Sequence, residues 1–478
     1  MKTKIIAKPD LKLAATRKDK LTSFHRVNNS FNQEVISLLT NKLYFIKTYG
    51  CQANVRDEET MRGILESVGM KRTEDVNIAD LIIINTCAVR ENAEDKVYGE
   101  VGNLKRLRQK NKNLVIAICG CMVEQPEILE RLLNTFKEVN LYFGTHEIYN
   151  IANLVYETII SGDRVVSIES KPGEVVEDLP SCRNNEFKAF VNIMYGCDKF
   201  CTYCIVPYTR GKERSRKFSD VMKEVKELEA KGYKEITFLG QNVNAYGKDL
   251  DEGCDFADLL EAAGQTSIPR IRFTTSHPWD FTDRMIEVIG KYPNIMKFIH
   301  LPVQSGSSEV LKRMNRRYTR EDYLQLVQTM KDKIPGLTLS TDIIVGFPNE
   351  SEEEFQNTIS LVDKVGYDAA FTFIYSPRRG TPAAKIEDHI TYETKVKRFK
   401  ELVSHLEESI SANANKMIGN IYPVLVEGIS KTNNKMFSGY TENNKLVHFE
   451  ADESLVGQIV DVKITESHTY SMIGELIK

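Results

Sequence analysis

Three short apolar runs, LYFIKT (43–48), LIIINT (81–86) and LVIAIC (114–119), are each closed by a cysteine-bearing turn: TYGCQAN, NTCAV and CGCM. Uniformly apolar runs of this length are the pattern of strands buried on both faces of a parallel sheet. Between them, NVRDEETMRGILESVG and VRENAEDKVYGEVGNLKRLRQ carry apolar residues at helical spacing. Strand and helix in alternation predict an α/β, doubly wound parallel-sheet domain over 41–158. All strands of such a sheet end on one edge, where ligands bind. Cys51, Cys87 and Cys121 should therefore meet as three ligands of one cluster, although they are far apart in the chain. Cysteine is often buried simply as a small apolar residue, yet three at matching strand ends go beyond that habit. Cys119 should point into the core, while Cys182 and Cys254 fall in loops without a partner motif.

A second group is local. GCDKFCTYC sets Cys197, Cys201 and Cys204 at C-x3-C-x2-C. Three thiolates at this spacing can hold a cubane iron–sulfur cluster and leave one iron open to an exogenous molecule. A structural zinc site would want four closed ligands, and no second C-x2-C pair or nearby histidine supplies the fourth. The odd total of nine cysteines argues against a disulfide framework and for ligands in a reducing compartment.

At 478 residues the chain is too long for a single core. From 186 to 412, strand–helix units open at FKAFVNIM, EITFLGQ, RIRFTTS, KFIHLPV, LTLSTDIIVGF and AAFTFIYS. They predict an incomplete (β/α)6 TIM-like barrel with its active residues at the strand C-termini. From 415 to 478, apolar and polar letters alternate between turns, the pattern of a small antiparallel β-barrel of five strands. The basic, polar residues 1–40 lack the apolar core of a signal peptide. No run approaches the ~20 apolar residues that span a bilayer. These features point to a loosely ordered extension on a cytoplasmic protein without membrane contact. A net charge of −3 leaves any RNA contact to local patches. RGKERSRK offers Arg210, Arg214 and Arg216, and LKRMNRRYTR adds Lys312, Arg313, Arg316, Arg317 and Arg320. Such runs, beside a barrel mouth, suit phosphate contact. In the acidic C-terminal segment, contacts should come from backbone donors, Lys431, Lys435 and stacking by Phe437.

GCDKFCTYC resembles the radical S-adenosylmethionine (SAM) superfamily, in which SAM chelates the open iron and is cleaved to a 5′-deoxyadenosyl radical. TYGC, NTC and CGC followed by GCDKFCTYC resemble its methylthiotransferase branch, over a stretch from about residue 41 to the C-terminus. VPYTRGKERSR (206–216), FLGQNVNAYG (238–247), RIRFTTSHP (270–278) and HLPVQSGS (300–307) resemble the members that act on isopentenylated tRNA. The resemblance implies methylthiolation at C2 of N6-isopentenyladenosine, position 37, in the tRNA anticodon stem-loop. It also implies two [4Fe-4S] clusters and a C-terminal TRAM domain. For SAM it implies Tyr203 against adenine, and Gly240 and Gln241 at the ammonium group. Asp342 falls near the ribose and Ile344 and Gly346 at the adenine wall, with Ser276, Gln304, Tyr375 and Ser376 at neighbouring strand ends. Partners of a monomer would be an electron donor such as a flavodoxin or ferredoxin, and a sulfur donor or cluster carrier. The alternatives are methylthiolation of a threonylcarbamoyl-adenosine or a ribosomal aspartate, or a noncatalytic iron–sulfur RNA-binding or redox-sensing module.

Overall fold

The computed structural model of the chain describes residues 2–17, 22–27, 31–88, 91–170, 174–431 and 433–477, with only the backbone of 91–95. Seven strands make the first sheet: β1 (Thr3–Ala7), β2 (Leu43–Tyr49), β3 (Lys71–Arg72), β4 (Leu81–Thr86), β5 (Val115–Gly120), β6 (Leu141–Phe143) and β7 (Arg164–Ser167). Their order is β1-β7-β6-β5-β4-β2-β3 and every pair is parallel. Alternate residues feed two cores. Leu81, Ile83, Val115 and Ala117 pack with Met61, Ile64 and Leu65 of helix α1 (Gln52–Ser67). Ile82, Ile84, Ile116 and Ile118 pack on the opposite face with Val97, Val101 and Leu104 of helix α2 (Glu91–Lys110). A sheet covered on both sides needs apolar residues on both faces of each strand, which is why these runs show no alternation.

The N-terminal segment differs from the loose extension expected. β1 adds an edge strand through parallel pairing with β7, and Ser23–Arg26 pairs with Glu174–Glu177. Both are joined by main-chain hydrogen bonds at an edge, with Ile5 and Ile6 left about half exposed, so side-chain patterning carries no sign of them. Met1 and residues 18–21 and 28–30 of this segment lie outside the described residues.

Six parallel strands form the central barrel: β8 (Lys188–Asn192), β9 (Glu235–Leu239), β10 (Arg270–Phe273), β11 (Phe298–His300), β12 (Thr338–Val345) and β13 (Ala369–Ile374). They run as two triplets, β8-β9-β10 and β11-β12-β13, linked by a parallel bridge from Ile271 to Ile295. The C-terminal strands β14 (Ile421–Ile429), β15 (Phe437–Thr441), β16 (Leu446–Phe449), β17 (Ile459–Ser467) and β18 (Ser471–Leu476) close a barrel in the order β14-β15-β16-β18-β17. One pair corrects the all-antiparallel expectation. β16 and β18 are parallel, because β17 reverses the chain between them.

The small barrel is tied to the N-terminal ends of the central strands. Arg270 donates to the carbonyls of Tyr440 (2.8 Å) and Pro423 (2.7 Å), and Arg272 to those of Thr441 (2.9 Å) and Glu442 (3.0 Å). Lys445 Nζ reaches the Asp368 carbonyl at 2.6 Å. Among the described residues, no helix is long and apolar enough to cross a membrane.

Candidate active site

Cys51 caps the N-terminus of α1, Cys87 follows β4, and Cys121 lies one residue beyond Gly120 at the end of β5. Gly120 has φ +93°, and a Cβ there would meet the Thr86 carbonyl at 2.2 Å. Only glycine lets the β5 turn approach β4 this closely. Cys51 and Cys87 are within hydrogen-bonding reach, which brings the Cys51 thiol down to about 5. Against burial, the Arg210 charge and the N–H groups of Asn54 and Ala53 at the helix N-terminus lower it further. Burial pushes the Cys121 thiol up to about 11, although Arg210 opposes the shift. Cys119 instead joins the core, with Sγ 3.9 Å from the Met61 sulfur. Cys182 bonds Glu66 (2.9 Å), and Cys254 lies in a loop beside the Glu252 carbonyl.

The second cysteine loop is held from behind. Gly196 has φ +75°, and a Cβ would meet the Lys212 carbonyl at 1.9 Å. The Cys197 N–H donates to Gly211, Thr202 N–H to Met314, and Asn315 Nδ2 to the carbonyls of Lys199 and Phe200. Arg316 is buried against this loop, with guanidinium nitrogens 3.8 Å from Cys201 Sγ, 3.4 Å from Tyr203 OH and 2.6 Å from the Pro302 carbonyl. Burial and the neighbouring Cys201 push the Cys204 thiol up to about 12, and burial with Glu213 raises Cys197 too. Proton release on metal binding follows for such thiols.

The two groups adjoin. Cys121 packs with Ala88, Ile205 and Tyr208, and Ile205 immediately follows Cys204. Among the described residues, no three cysteine, histidine or acidic side chains converge closely enough to close on a single ion. A cubane sets its thiolates wider apart than one ion does, and two sets of three soft thiolate donors suit iron–sulfur ligation.

Around the strand ends, Tyr203, Ile344 and Tyr375 share one apolar cluster with Phe347 and Met314. The buried hydroxyls of Ser276 and Tyr375 have no hydrogen-bond partner among the described residues. Buried polar groups are normally satisfied, so these donors fit a polar exogenous ligand such as SAM. Gln304 sits in the left-handed region (φ +71°) and is bridged to β12, and Asp342 Oδ2 lies 3.5 Å from His300 Nε2. Gly240 abuts Met194, so a Cβ would come within 2.6 Å of its Cγ, and Gly346 abuts Lys395 in the same way. Gln241 departs from expectation. Its Oε1 accepts the Gly196 N–H at 2.5 Å, which fixes the cysteine loop.

The arginines read as RNA contacts are interior. Arg210 Nε donates to Cys121 Sγ at 2.9 Å, and its other nitrogen pairs with Asp57 at 2.7 Å. Arg214 meets His146 Nδ1 (2.9 Å) and donates to the Arg210 carbonyl (2.8 Å). Arg216 forks onto Glu177 (2.8 and 2.9 Å) and reaches Glu224. All three are buried. Of the second cationic run, Arg313 pairs with Glu354 and Arg320 bonds Ser360 and main-chain carbonyls, whereas Lys312 and Arg317 are exposed. Lys431 and Lys435 are exposed on the small barrel, and Phe437 is half-buried against its core.

Comparison with known proteins assigns residues 191–362 to the radical SAM superfamily, 43–144 to "Uncharacterized protein family UPF0004" and 415–477 to the TRAM domain. The chain is 49% identical over 471 residues to the tRNA-2-methylthio-N(6)-dimethylallyladenosine synthases of Staphylococcus aureus strains MRSA252 and Newman, covering 98% of this chain and 91% of each relative. Among solved structures, the radical SAM methyltransferase TsrM from Kitasatospora setae, with cobalamin and a [4Fe-4S] cluster bound, aligns with a TM-score of 0.52. At 13% identity over 72% of this chain and 77% of that one, it shares the fold alone.

Proposed function

This chain belongs to the tRNA-2-methylthio-N(6)-dimethylallyladenosine synthases, and from that premise we propose how its side chains divide the work. The reaction is methylthiolation at C2 of N6-isopentenyladenosine at position 37 of tRNA. In our assignment, Cys51, Cys87 and Cys121 hold one [4Fe-4S] cluster, and Cys197, Cys201 and Cys204 hold the other. When bound, the clusters and SAM supply the radical and sulfur-transfer chemistry that an unactivated aromatic C–H bond demands.

The protein binds, orients and excludes. Tyr203 and Ile344 give SAM's adenine an apolar wall, Ser276 and Tyr375 offer their unpartnered hydroxyls, and Asp342 faces the ribose. Gly240 permits close backbone approach, Gln304 lines the floor, and Gln241 acts indirectly by holding the cysteine loop. Arg316 keeps Tyr203 and Cys201 in register. Reacting atoms must come within ~3.5 Å of each other, so the target adenosine enters unstacked, as bases in single-stranded loops can.

The observation that supports this reading is the contact of Cys121 with Ile205, the residue that follows Cys204. Lys431, Lys435 and Phe437 of the small barrel add RNA contact in this proposal. A flavodoxin- or ferredoxin-like protein supplies electrons, a sulfur donor or cluster carrier restores the consumed sulfur, and the chain works as a monomer in the cytoplasm. The test is anaerobic turnover of isopentenylated tRNA followed by nucleoside mass spectrometry. Wild type should give the 2-methylthio product. Cys197→Ala should yield neither product nor 5′-deoxyadenosine, whereas Cys87→Ala should still cleave SAM without thiolating. Methylthio product from Cys87→Ala would refute the assignment of the first triad.

A further inference from the structure

The only tryptophan of the chain, Trp279, lies in the short turn Pro278–Asp280 that follows β10 at the mouth of the central barrel. It is 41% exposed, unusual for the largest apolar side chain. Two cations lie near its ring. Lys199 Nζ is 5.0 Å from the ring centroid and Arg317 Cζ is 4.8 Å away. The His277 ring stands edge-on at 6.3 Å. Lys199 belongs to the Cys197–Cys201 loop and pairs with Asp280 at 2.7 Å, so the tryptophan is fixed beside the cysteines. Lys248 pairs with the same carboxylate. Lys199 and Lys248 thus share one carboxylate beside the exposed aromatic plane, with Glu213 buried near Lys199.

We propose that Trp279 is a stacking platform for the nucleotide next to the target adenosine, with Arg317 taking a flanking phosphate. The proposal rests on the tRNA reading above and adds where the loop docks. A base splayed into the mouth leaves its neighbour with an uncovered face. An indole plane accepts any base by stacking, and cations at its rim complement the backbone. Arg317 is exposed and can shift from ring to phosphate without unburying a charge.

Because Trp279 is the only indole, its emission reports on this surface alone. The cluster-loaded protein is titrated with a fluorescein-labelled anticodon stem-loop carrying N6-isopentenyladenosine, and indole emission and label anisotropy are read together. The proposal predicts that emission changes in step with binding, and that a blunt duplex of the stem leaves it unchanged. Trp279→Ala should weaken binding about tenfold and Trp279→Phe less. Arg317→Gln should lower the slope of log affinity against log salt by about one. Circular dichroism and iron content of the Trp279→Ala protein separate a lost contact from a lost fold. Full binding by anisotropy with unchanged indole emission and wild-type affinity in Trp279→Ala would overturn the platform while leaving the tRNA reading intact. No binding of the stem-loop by wild type would overturn both.

Discussion

Cys51 combines exposure with a thiol brought down to about 5 by Cys87, Arg210 and the start of α1. Burial drives the other way at Cys121, Cys197 and Cys204. The thiolate is the nucleophile in alkylation, so iodoacetamide on metal-free protein should modify Cys51 first. Since its thiol is already ionised, the rate should stay flat between about pH 6 and 8, where an ordinary thiol speeds up with pH. Peptide mapping by mass spectrometry checks the order. Arg210 reaches the same group of cysteines from the other chain segment, through its 2.9 Å bond to Cys121 and its pair with Asp57. Arg210→Met strands a buried carboxylate and should cost about 3–5 kcal/mol. Adding Asp57→Asn should recover most of that loss in urea unfolding. The double variant, folded but without an N–H···S bond, should show a lower reduction potential for the cluster we assign to Cys51, Cys87 and Cys121, since such bonds help set it. Redox titration followed by electron paramagnetic resonance reads the shift.

Between residue and domain, glycine turns and buried arginines decide how the elements meet. Gly196→Ala forces a Cβ into the Lys212 carbonyl in a left-handed conformation, at a strain of about 1–3 kcal/mol before relaxation. The expected result is protein that retains the iron of the first triad and loses that of the second, measured as iron per chain. Arg216 ties Glu177, at the end of the strand Glu174–Glu177, to Glu224 on the helix Phe218–Ala230. Arg216→Glu would set three carboxylates together, leaving Glu177 without its cation while Glu224 keeps Arg183 and Arg56, and a loss of about 3–5 kcal/mol is expected, seen as a lowered thermal midpoint. The same arginine shows where sequence reading stops. The strands were legible because burial on both faces forces continuous apolar runs, and the nearness of Cys51 to Cys87 and Cys121 follows from parallel topology, which gathers strand ends on one edge. The charge run RGKERSRK was not. Its partners Asp57 and Glu177 are remote in sequence, and nothing in the spacing of arginines says whether a guanidinium faces water or a buried carboxylate. Trp279 carried no signal for a related reason: a lone aromatic after a strand is as often core as surface.

Across the whole molecule, the two ends of the central barrel do different things. The cysteines, Trp279 and the unpartnered hydroxyls gather at the strand C-termini, while the small barrel is bolted to the N-termini by Arg270, Arg272 and Lys445. A five-residue strand such as β9 spans roughly 16 Å at about 3.3 Å per residue, so the small barrel cannot cover the mouth. If the anticodon loop docks at the mouth as we propose, the small barrel meets only the stem that runs down the flank, toward Lys431 and Lys435. Two modest contacts on one rigid body then reinforce each other, because the second forms at high effective concentration once the first is made. Rigidity depends on the arginine bolts, whose charge is balanced by Glu235, 2.8 Å from Arg272. Arg270→Ala with Arg272→Ala should therefore leave both barrels folded but uncoupled. Limited trypsin digestion should release the C-terminal barrel as an intact fragment, where wild type resists. Affinity for the full stem-loop should fall toward that of a short single-stranded loop RNA, while affinity for the short RNA itself stays at the wild-type value. A matching loss for both RNAs would mean that the bolts shape the mouth itself rather than join two separate RNA contacts.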